Sequence, residues 1–324
     1  MIETDILVIG TGLAGLTLAR ELSNNSRKVT VIEKSRSAGG RLSTRRSDAG
    51  SFDHGAQYLT NRTASFSGLL DVLSRSADLA AWDPVGKDSA HTWWVGRPGM
   101  SAIGKSLAKG LDITYQTRVI GIARQDEELI VHTEADDGRA PVYRASRVVA
   151  AIPSPQALDL LEPLDPAFEQ LRNVRMAPCW SAMLAFDRTL ADVPDLIRGQ
   201  DGDTLALIAR NGSKPDRTGE TFILHATPQW SRQQLEAGRD AVRTAMLEAM
   251  RRQTGLGNFL PDPIHCEVHR WLYALVEQPL DQPFLGNAQN TLFACGDWCI
   301  GGRAEAAHQS GEALAHHIIS LRVA

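Results

Sequence analysis

Apolar and polar positions change period several times along the chain, and each change predicts an element. Ile6-Leu7-Val8-Ile9 is an unbroken apolar run of strand length, the pattern of a strand buried on both faces. Leu13, Leu16 and Leu22 then recur at helical spacing, and Val29-Thr30-Val31-Ile32 returns to a short apolar run that ends at Glu33. Residues 61–95 read as a helix followed by a turn-rich stretch holding Trp82, Trp93 and Trp94, and residues 100–109 as a second helix. Residues 112–119 predict a strand, while 129–133 and 147–152 predict a hairpin turning at Asp136-Asp137-Gly138. The apolar run from Val148 stops at Pro153, as a parallel strand leaving a sheet would.

The texture differs between residues 155 and 285. Strand-like runs at 181–186 and 221–226 precede an amphipathic helix at 239–253, where Val242, Met246 and Met250 lie four apart and predict a core-facing stripe. Residues 292–294 then make a last short strand, and a last helix begins at Arg303. This order predicts an α/β protein in which a Rossmann-like domain (1–60, 96–155 and 286–324) is interleaved with an α+β substrate domain (61–95 and 156–285).

Between the first strand and first helix lies Gly10-Thr11-Gly12-Leu13-Ala14-Gly15. In such a turn the first glycine permits the sharp bend, the second lets backbone approach a pyrophosphate, and the third lets helix pack closely on strand. The helix start offers amide N–H groups and a positive dipole end to phosphate. Glu33, ending the second strand, is placed to accept hydrogen bonds from a ribose. A polar loop follows, Lys34 to Gly39-Gly40-Arg41, where a plain nicotinamide-binding domain would have a crossover helix. Its backbone amides and guanidinium suit a second stretch of phosphate.

Composition narrows the class. The 324 residues carry a net charge of −4 with no long Lys/Arg block, so no nucleic-acid partner is expected. No apolar run approaches the ~18 residues of a membrane span, so no membrane association is expected either. The first residues read as the first strand, so no signal peptide is expected. Cys179, Cys266, Cys295 and Cys299 are too scattered for a disulfide framework or a metal site, and a reducing cytoplasm fits them. A monomer and a small homo-oligomer both remain open.

The closing segment completes the pattern: a strand at 292–294, then Cys295-Gly296-Asp297-Trp298, then Gly301-Gly302-Arg303-Ala304-Glu305-Ala306 opening the last helix. Together with Gly10 to Gly15, Glu33, Gly39-Gly40-Arg41 and Asp53-His54-Gly55-Ala56-Gln57-Tyr58, it resembles the FAD-binding framework of the flavin amine oxidase superfamily. Within that superfamily the chain is most similar to the bacterial renalases. The motifs that carry this likeness are Trp94 to Ala102, Ala209-Arg210-Asn211-Gly212-Ser213-Lys214-Pro215, Ile223-Leu224-His225, Gln229-Trp230-Ser231 and His269-Arg270-Trp271-Leu272-Tyr273-Ala274.

The resemblance implies a glutathione-reductase/amine-oxidase type of FAD domain and a non-covalent FAD. Its implied contacts are Gly10, Thr11, Gly12, Leu13, Ala14, Gly15, Glu33, Lys34, Gly40, Arg41, Gly55, Ala56, Gln57, Val119, Asp297, Arg303, Glu305 and Ala306. It also implies oxidation of the 2- and 6-dihydro isomers of NAD(P)H, with hydride passing to flavin N5 and dioxygen reoxidising the flavin to give peroxide. Hydride loss from a dihydropyridine creates an aromatic cation directly, so no catalytic side chain is required. Gln57, Tyr58, Asn211, His225 and Trp298 are the substrate-binding candidates, Arg210 and Arg270 candidates for the substrate pyrophosphate, and Trp94 and Trp230 candidate core aromatics.

Two alternatives stay open. A flavin amine oxidase would commonly place a second-half lysine near the flavin; only Lys214 follows Lys109, and its turn composition, Asn211-Gly212-Ser213-Lys214-Pro215-Asp216, predicts a solvated position. An escort-type binding protein on the same fold would carry no flavin and would not need the intact phosphate and ribityl loops.

Overall fold

The computed structural model describes residues 1–87 and 89–321. Along the chain run β1 (Ile2–Ile9), α1 (Leu13–Asn24), β2 (Val29–Ile32), a ribbon of β3 (Arg45–Ser47) and β4 (Gly50–Phe52), α2 (Ala64–Arg75), and a second ribbon of β5 (Leu79–Trp82) and β6 (Trp93–Gly96). Then come α3 (Ser101–Ala108), β7 (Asp112–Thr114), β8 (Thr117–Gln125), β9 (Glu128–Ala135), β10 (Val142–Ala150) and α4 (Ser154–Leu161). The second half holds β11 (Arg175–Phe186), β12 (Leu196–Arg198), β13 (Leu205–Arg210), β14 (Glu220–Ala226), α5 (Pro228–Gln233), α6 (Arg239–Gln253) and β15 (His265–Gln278). The chain closes with β16 (Leu285–Gly286), β17 (Leu292–Ala294) and α7 (Ala304–Ser320).

Two sheets organise these elements. In the first, β17, β10, β1, β2 and β7 run parallel, which is why Ile6 to Ile9 and Val148 to Ala150 are apolar without alternation: both faces are covered. One edge of β10 serves two neighbours in succession, β9 antiparallel at Val142 to Ala145 and then β17 parallel at Val148 to Ala150. The predicted strand at 112–119 is instead two strands. Gln116 takes a left-handed φ of 53°, and the bend sends β7 into the parallel sheet and β8 out to pair with β9.

The second sheet is antiparallel, in the order β12-β13-β14-β11-β15. Helix α6 covers one face with Val242, Met246, Ala249 and Met250, packed in one cluster with Leu184, Phe222 and Leu224, as the four-residue spacing predicts. Segment 61–95 lies between the sheets: Phe66, Leu70, Trp82 and Trp93 share a core with Leu16 of α1 and also with Leu196, Leu207 and Ala209 of the second sheet. No helix among the described residues is long and apolar enough to cross a membrane.

Helices α1 and α7 cross backbone to backbone on the first sheet. A Cβ on Gly311 would stand 2.3 Å from the Ala14 carbonyl oxygen, so the crossing requires glycine there. Nearby, Thr17 Oγ1 and His308 Nδ1 share a hydrogen bond of 3.1 Å across the same contact. Gly311→Ala is expected to force the helices apart and lower stability by roughly 1–3 kcal/mol. A thermal melt of the variant checks this, and an unchanged midpoint would contradict the packing described.

Candidate active site

The turn after β1 is built for close approach. Gly10 has φ 102°, and a Cβ there would strike the Ala151 carbonyl oxygen at 2.7 Å. A Cβ on Gly15 would meet the Gly10 carbonyl oxygen at 2.2 Å, so α1 sits directly on the turn. Over Gly12 nothing lies within 4 Å, which leaves an open face at the start of α1. Leu13 and Ala14 open that helix, which has neither a side-chain cap nor an acidic residue in its first turn. Glu33 is buried beside it. One carboxylate oxygen accepts from the Thr11 amide (2.9 Å) and hydroxyl (2.6 Å), the other from the Ser35 amide (2.8 Å).

The Gly39-Gly40-Arg41 loop closes on the same turn. The Gly39 amide donates to the Thr11 carbonyl (2.9 Å), and Gly40 faces Gly12. Lys34 is exposed beyond Glu33, and Val119 is buried in β8, whose first residue donates its amide to the Glu33 carbonyl. An open glycine face, an uncapped helix start and a buried carboxylate fit a dinucleotide, with phosphate at the α1 amides and a ribose near Glu33.

At the far end, Arg41 and Asp297 are bound to each other through two hydrogen bonds of 2.8 and 2.6 Å. Burial would lower the Arg41 pKa, but the Asp297 carboxylate outweighs it and raises it. The two residues form one unit, and Arg41 also donates to the Ala274 carbonyl (2.9 Å). The Arg41 carbonyl in turn accepts from the Ala56 amide (2.9 Å), and a Cβ on Gly55 would lie 2.0 Å from it, so 55–57 is clamped to the loop. Helix α7 starts at Arg303, exposed and without a side-chain cap, with Ala306 buried behind it. Glu305 is committed elsewhere: one oxygen accepts from the Arg62 amide and from the Thr63 amide and hydroxyl, holding the start of α2. Its side chain is thus used within the fold.

Gln57 marks the wall between the sheets. Its amide nitrogen donates to the carbonyls of Asp53 and Gly55, its oxygen accepts from Lys214 Nζ at 3.0 Å, and His225 Nε2 stands 3.5 Å away. Lys214 is not solvated. Its side chain is 0% exposed, 3.2 Å from Asp53, with its ammonium 5.4 Å from the Trp82 ring centre. The turn composition misled because Lys214 and Arg217, three residues apart, both bend inward onto Asp53, with Arg217 at 2.6 Å. Thr44 Oγ1 (2.7 Å) and the Met100 amide (2.9 Å) complete its shell. Burial would raise the Asp53 pKa, but Lys214 and Arg217 bring it down to about 2. Burial lowers the Lys214 pKa to about 8, opposed by Asp53 and assisted by Arg217.

Beside Gln57 stand three histidines. The His54 ring stacks on Trp271 (5.2 Å) and meets His269 edge-on (5.0 Å), and the His54 carbonyl accepts from Trp271 Nε1 (3.0 Å) and faces His225 Nε2 (3.4 Å). Burial first, then neighbouring positive groups, lowers His54 to about 3 and His269 to about 4. Burial likewise lowers His225 to about 4. Arg45 binds Glu267 and lies 3.4 Å from His269 Nδ1. Trp271 comes from a bulge in β15: Cys179 faces Trp271 while Ala177 faces Leu275, so 272–274 is looped out, and this puts the Ala274 carbonyl on Arg41.

Several expected residues serve the fold instead. Asn211 is buried, donates to the Ser51 carbonyl (2.8 Å) and accepts from the Asp53 amide (3.4 Å). Trp298 is buried in the apolar core below β1, its Nε1 bound to the Ile152 carbonyl (3.0 Å), and cannot line a substrate wall. Arg210 is held by Asp195 and Glu220, and Arg270 by the Leu235 carbonyl and Glu236. Trp94 and Trp230 are partly buried against the apolar cores, as expected. Cys295 and Cys299 are buried thiols whose pKa burial raises, Cys299 to about 12, which suits no covalent attachment.

Replacing Asp53 with Asn strands two buried cations, and a loss of roughly 3–5 kcal/mol is expected. Adding Lys214→Met to Asp53→Asn should recover part of that loss, measured by denaturant unfolding. The histidines set a separate pH dependence. In the unfolded chain they take up protons near pH 6.5, in the fold only near 3 to 4, so stability should fall as pH drops from about 6.5 to 4. The Asp53 contribution is present above its unfolded pKa and should be lost between about pH 4 and 2. Unfolding curves across these windows check both.

Comparison with known proteins agrees with this geometry. Residues 62–319 match the family model for flavin containing amine oxidoreductases, and residues 8–73 match a NAD(P)-binding Rossmann-like domain. A 58-residue stretch is 43% identical to probable polyamine oxidase 4 of Arabidopsis thaliana, covering 18% of this chain and 12% of that protein, so the match spans about an eighth of that relative's length. Among solved structures, cyclohexylamine oxidase from Brevibacterium oxydans superposes with a TM-score of 0.76 at 13% identity, over 98% of each chain. An engineered putrescine oxidase superposes with a TM-score of 0.75 at 13% identity, over 98% of this chain and 99% of its own. At such identities the structures share the fold. The family match covers most of the chain, and the chain belongs to the flavin containing amine oxidoreductases, with a non-covalent FAD as its cofactor.

Proposed function

We propose that the protein oxidises the 2- and 6-dihydro isomers of NAD(P)H, as the renalase-like motifs imply. Bound FAD supplies the two-electron acceptor, and the balanced reaction is dihydropyridine, dioxygen and one proton giving pyridinium and hydrogen peroxide. The observation that carries this reading is the charge of the wall around Gln57. Asp53 is bound by Lys214 and Arg217, Glu267 by Arg45 and Asp297 by Arg41, so each carboxylate there is matched or outnumbered by cations. An ammonium substrate would meet a neutral or positive surface, whereas an uncharged dihydropyridine meets aromatic and neutral hydrogen-bonding groups.

The side chains hold and orient; they do not need to take a proton from the substrate. His54, His225 and His269 are weak bases, and Lys214 is tied to Asp53 and Gln57. Lys214 in turn locks the Gln57 amide, whose position beside the Gly55–Ala56 clamp fixes the wall against the cofactor cleft. Four unpaired cysteines suit a reducing compartment, and a cytoplasmic location is part of this proposal.

One observation favours a second reading. Lys214 is buried at the site rather than solvated, and the family model is that of amine oxidoreductases, so a neutral small amine is the alternative substrate. Anaerobic mixing of the FAD-loaded protein with borohydride-reduced NAD, which holds the 2-, 4- and 6-dihydro isomers, separates the two. Rapid flavin bleaching, with peroxide formed on admitting air, is the expected result. Bleaching by a primary amine or polyamine and none by the dihydropyridines would transfer the protein to the amine oxidases.

A further inference from the structure

A buried excess of positive charge lies where the turn between β13 and β14 meets Asp53. The side chains of Asp53, Lys214 and Arg217 are all fully buried, and Asp53 Oδ2 receives both cations, Lys214 Nζ at 3.2 Å and Arg217 Nη2 at 2.6 Å. Arg217 gives its other terminal nitrogen to the Gly96 and Pro215 carbonyls, which carry no charge. The nearby carboxylate of Asp216 lies at the surface and is bound by Arg97, a separate neutral pair. His225, on β14 beside Lys214, is kept neutral by burial. Among the described residues, then, two cations stand against one carboxylate, and one positive charge is left over in the interior. It is held against a fixed partner. The Gln57 amide nitrogen donates to the Asp53 and Gly55 carbonyls, so its oxygen is turned to Lys214 Nζ at 3.0 Å. Gln57 belongs to the segment clamped to the Arg41 carbonyl, next to the Arg41–Asp297 pair.

We propose that Lys214 sets the reduction potential of the bound FAD, its charge stabilising the negative charge that reduction adds to the cofactor. A hydride is two electrons and one proton, so its arrival adds one negative charge whichever donor supplies it. A cation already fixed in a low-dielectric interior favours that charge without reorganising. Water would screen an exposed lysine; Lys214 is packed under the Trp82 ring, 5.4 Å from its centre, and is not screened in this way. Lys214 is a positioning residue: it orients Gln57 and carries the charge, and takes no proton from a substrate. The inference rests on the bound FAD and not on the identity of the hydride donor.

The test compares FAD-loaded wild type, Lys214→Met and Lys214→Arg. Lys214→Met leaves Asp53 bound to Arg217, a neutral buried pair, and retained flavin absorbance reports folding. Midpoint potentials are read against indicator dyes, with xanthine and xanthine oxidase supplying the electrons. Lys214→Met should move the two-electron equilibrium towards oxidised flavin about tenfold, a drop of about 30 mV. Lys214→Arg should keep most of the wild-type potential. A pH series separates charge from packing. Asp53 titrates at about 2, His225 at about 4 and Lys214 at about 8, and Arg217 stays charged. Between about pH 7 and 9.5 Lys214 is therefore the member of this cluster that changes charge. Losing its proton removes the excess, so the gap between wild type and Lys214→Met should close as pH rises through that range. An unchanged potential in Lys214→Met, an equal drop in both variants, or a gap constant with pH would overturn the proposal. If Lys214→Arg does not hold flavin, the pH series decides alone. Because xanthine supplies the electrons, failure of every dihydropyridine to bleach the flavin would sink the oxidase reading and leave this measurement standing.

Discussion

Asp53 is a buried carboxylate on which three separate parts of the chain converge: Thr44 from the loop after Arg41, Met100 at the start of α3, and Lys214 and Arg217 from the turn between β13 and β14. An isolated charge in such a place would be expelled or neutralised; here two cations and two further hydrogen bonds keep it ionised. The same residue's backbone carbonyl accepts from Gln57. The segment that faces the cofactor cleft is therefore tied to the second sheet by ion pairing. Loss of the carboxylate would disturb both sheets at once.

A consequence is the sign of the local field. One carboxylate against two cations leaves the buried cluster positive, and the adjacent histidines stay neutral because burial lowers their pKa. The wall beside Gln57 thus carries no net negative charge. Arg41 and Asp297, bound together, bridge the loop after β2 to the segment after β17, so the two ends of the chain meet in one site.

The framework was legible because it is written in local patterns. The apolar runs of β1 and β2, the glycine spacing between them, the stripe of α6 and the final strand–helix turn each follow from residues close in sequence. Glu33 and the glycine turn need only β1, α1 and β2 to come together, and a βαβ unit brings them together by construction. Even the bulge in β15 leaves a trace, since 269–274 is one of the motifs, although the pairing that makes it a bulge is not local.

By itself, then, the sequence determined the fold class, the flavin amine oxidoreductase family and FAD as the cofactor. Tertiary structure alone decided which polar side chains face the site. Lys214 lies in a turn whose composition suits water, yet it is buried because Asp53, 161 residues earlier in the chain, draws it inward. Asn211 and Trp298 carry the right chemistry for a ligand, yet their hydrogen bonds are taken by the backbone at Ser51 and Ile152. Arg210 and Arg270 are committed to carboxylates and carbonyls elsewhere in the fold. Propensity and spacing act over a few residues; desolvation and charge pairing act between residues that only the folded chain brings together.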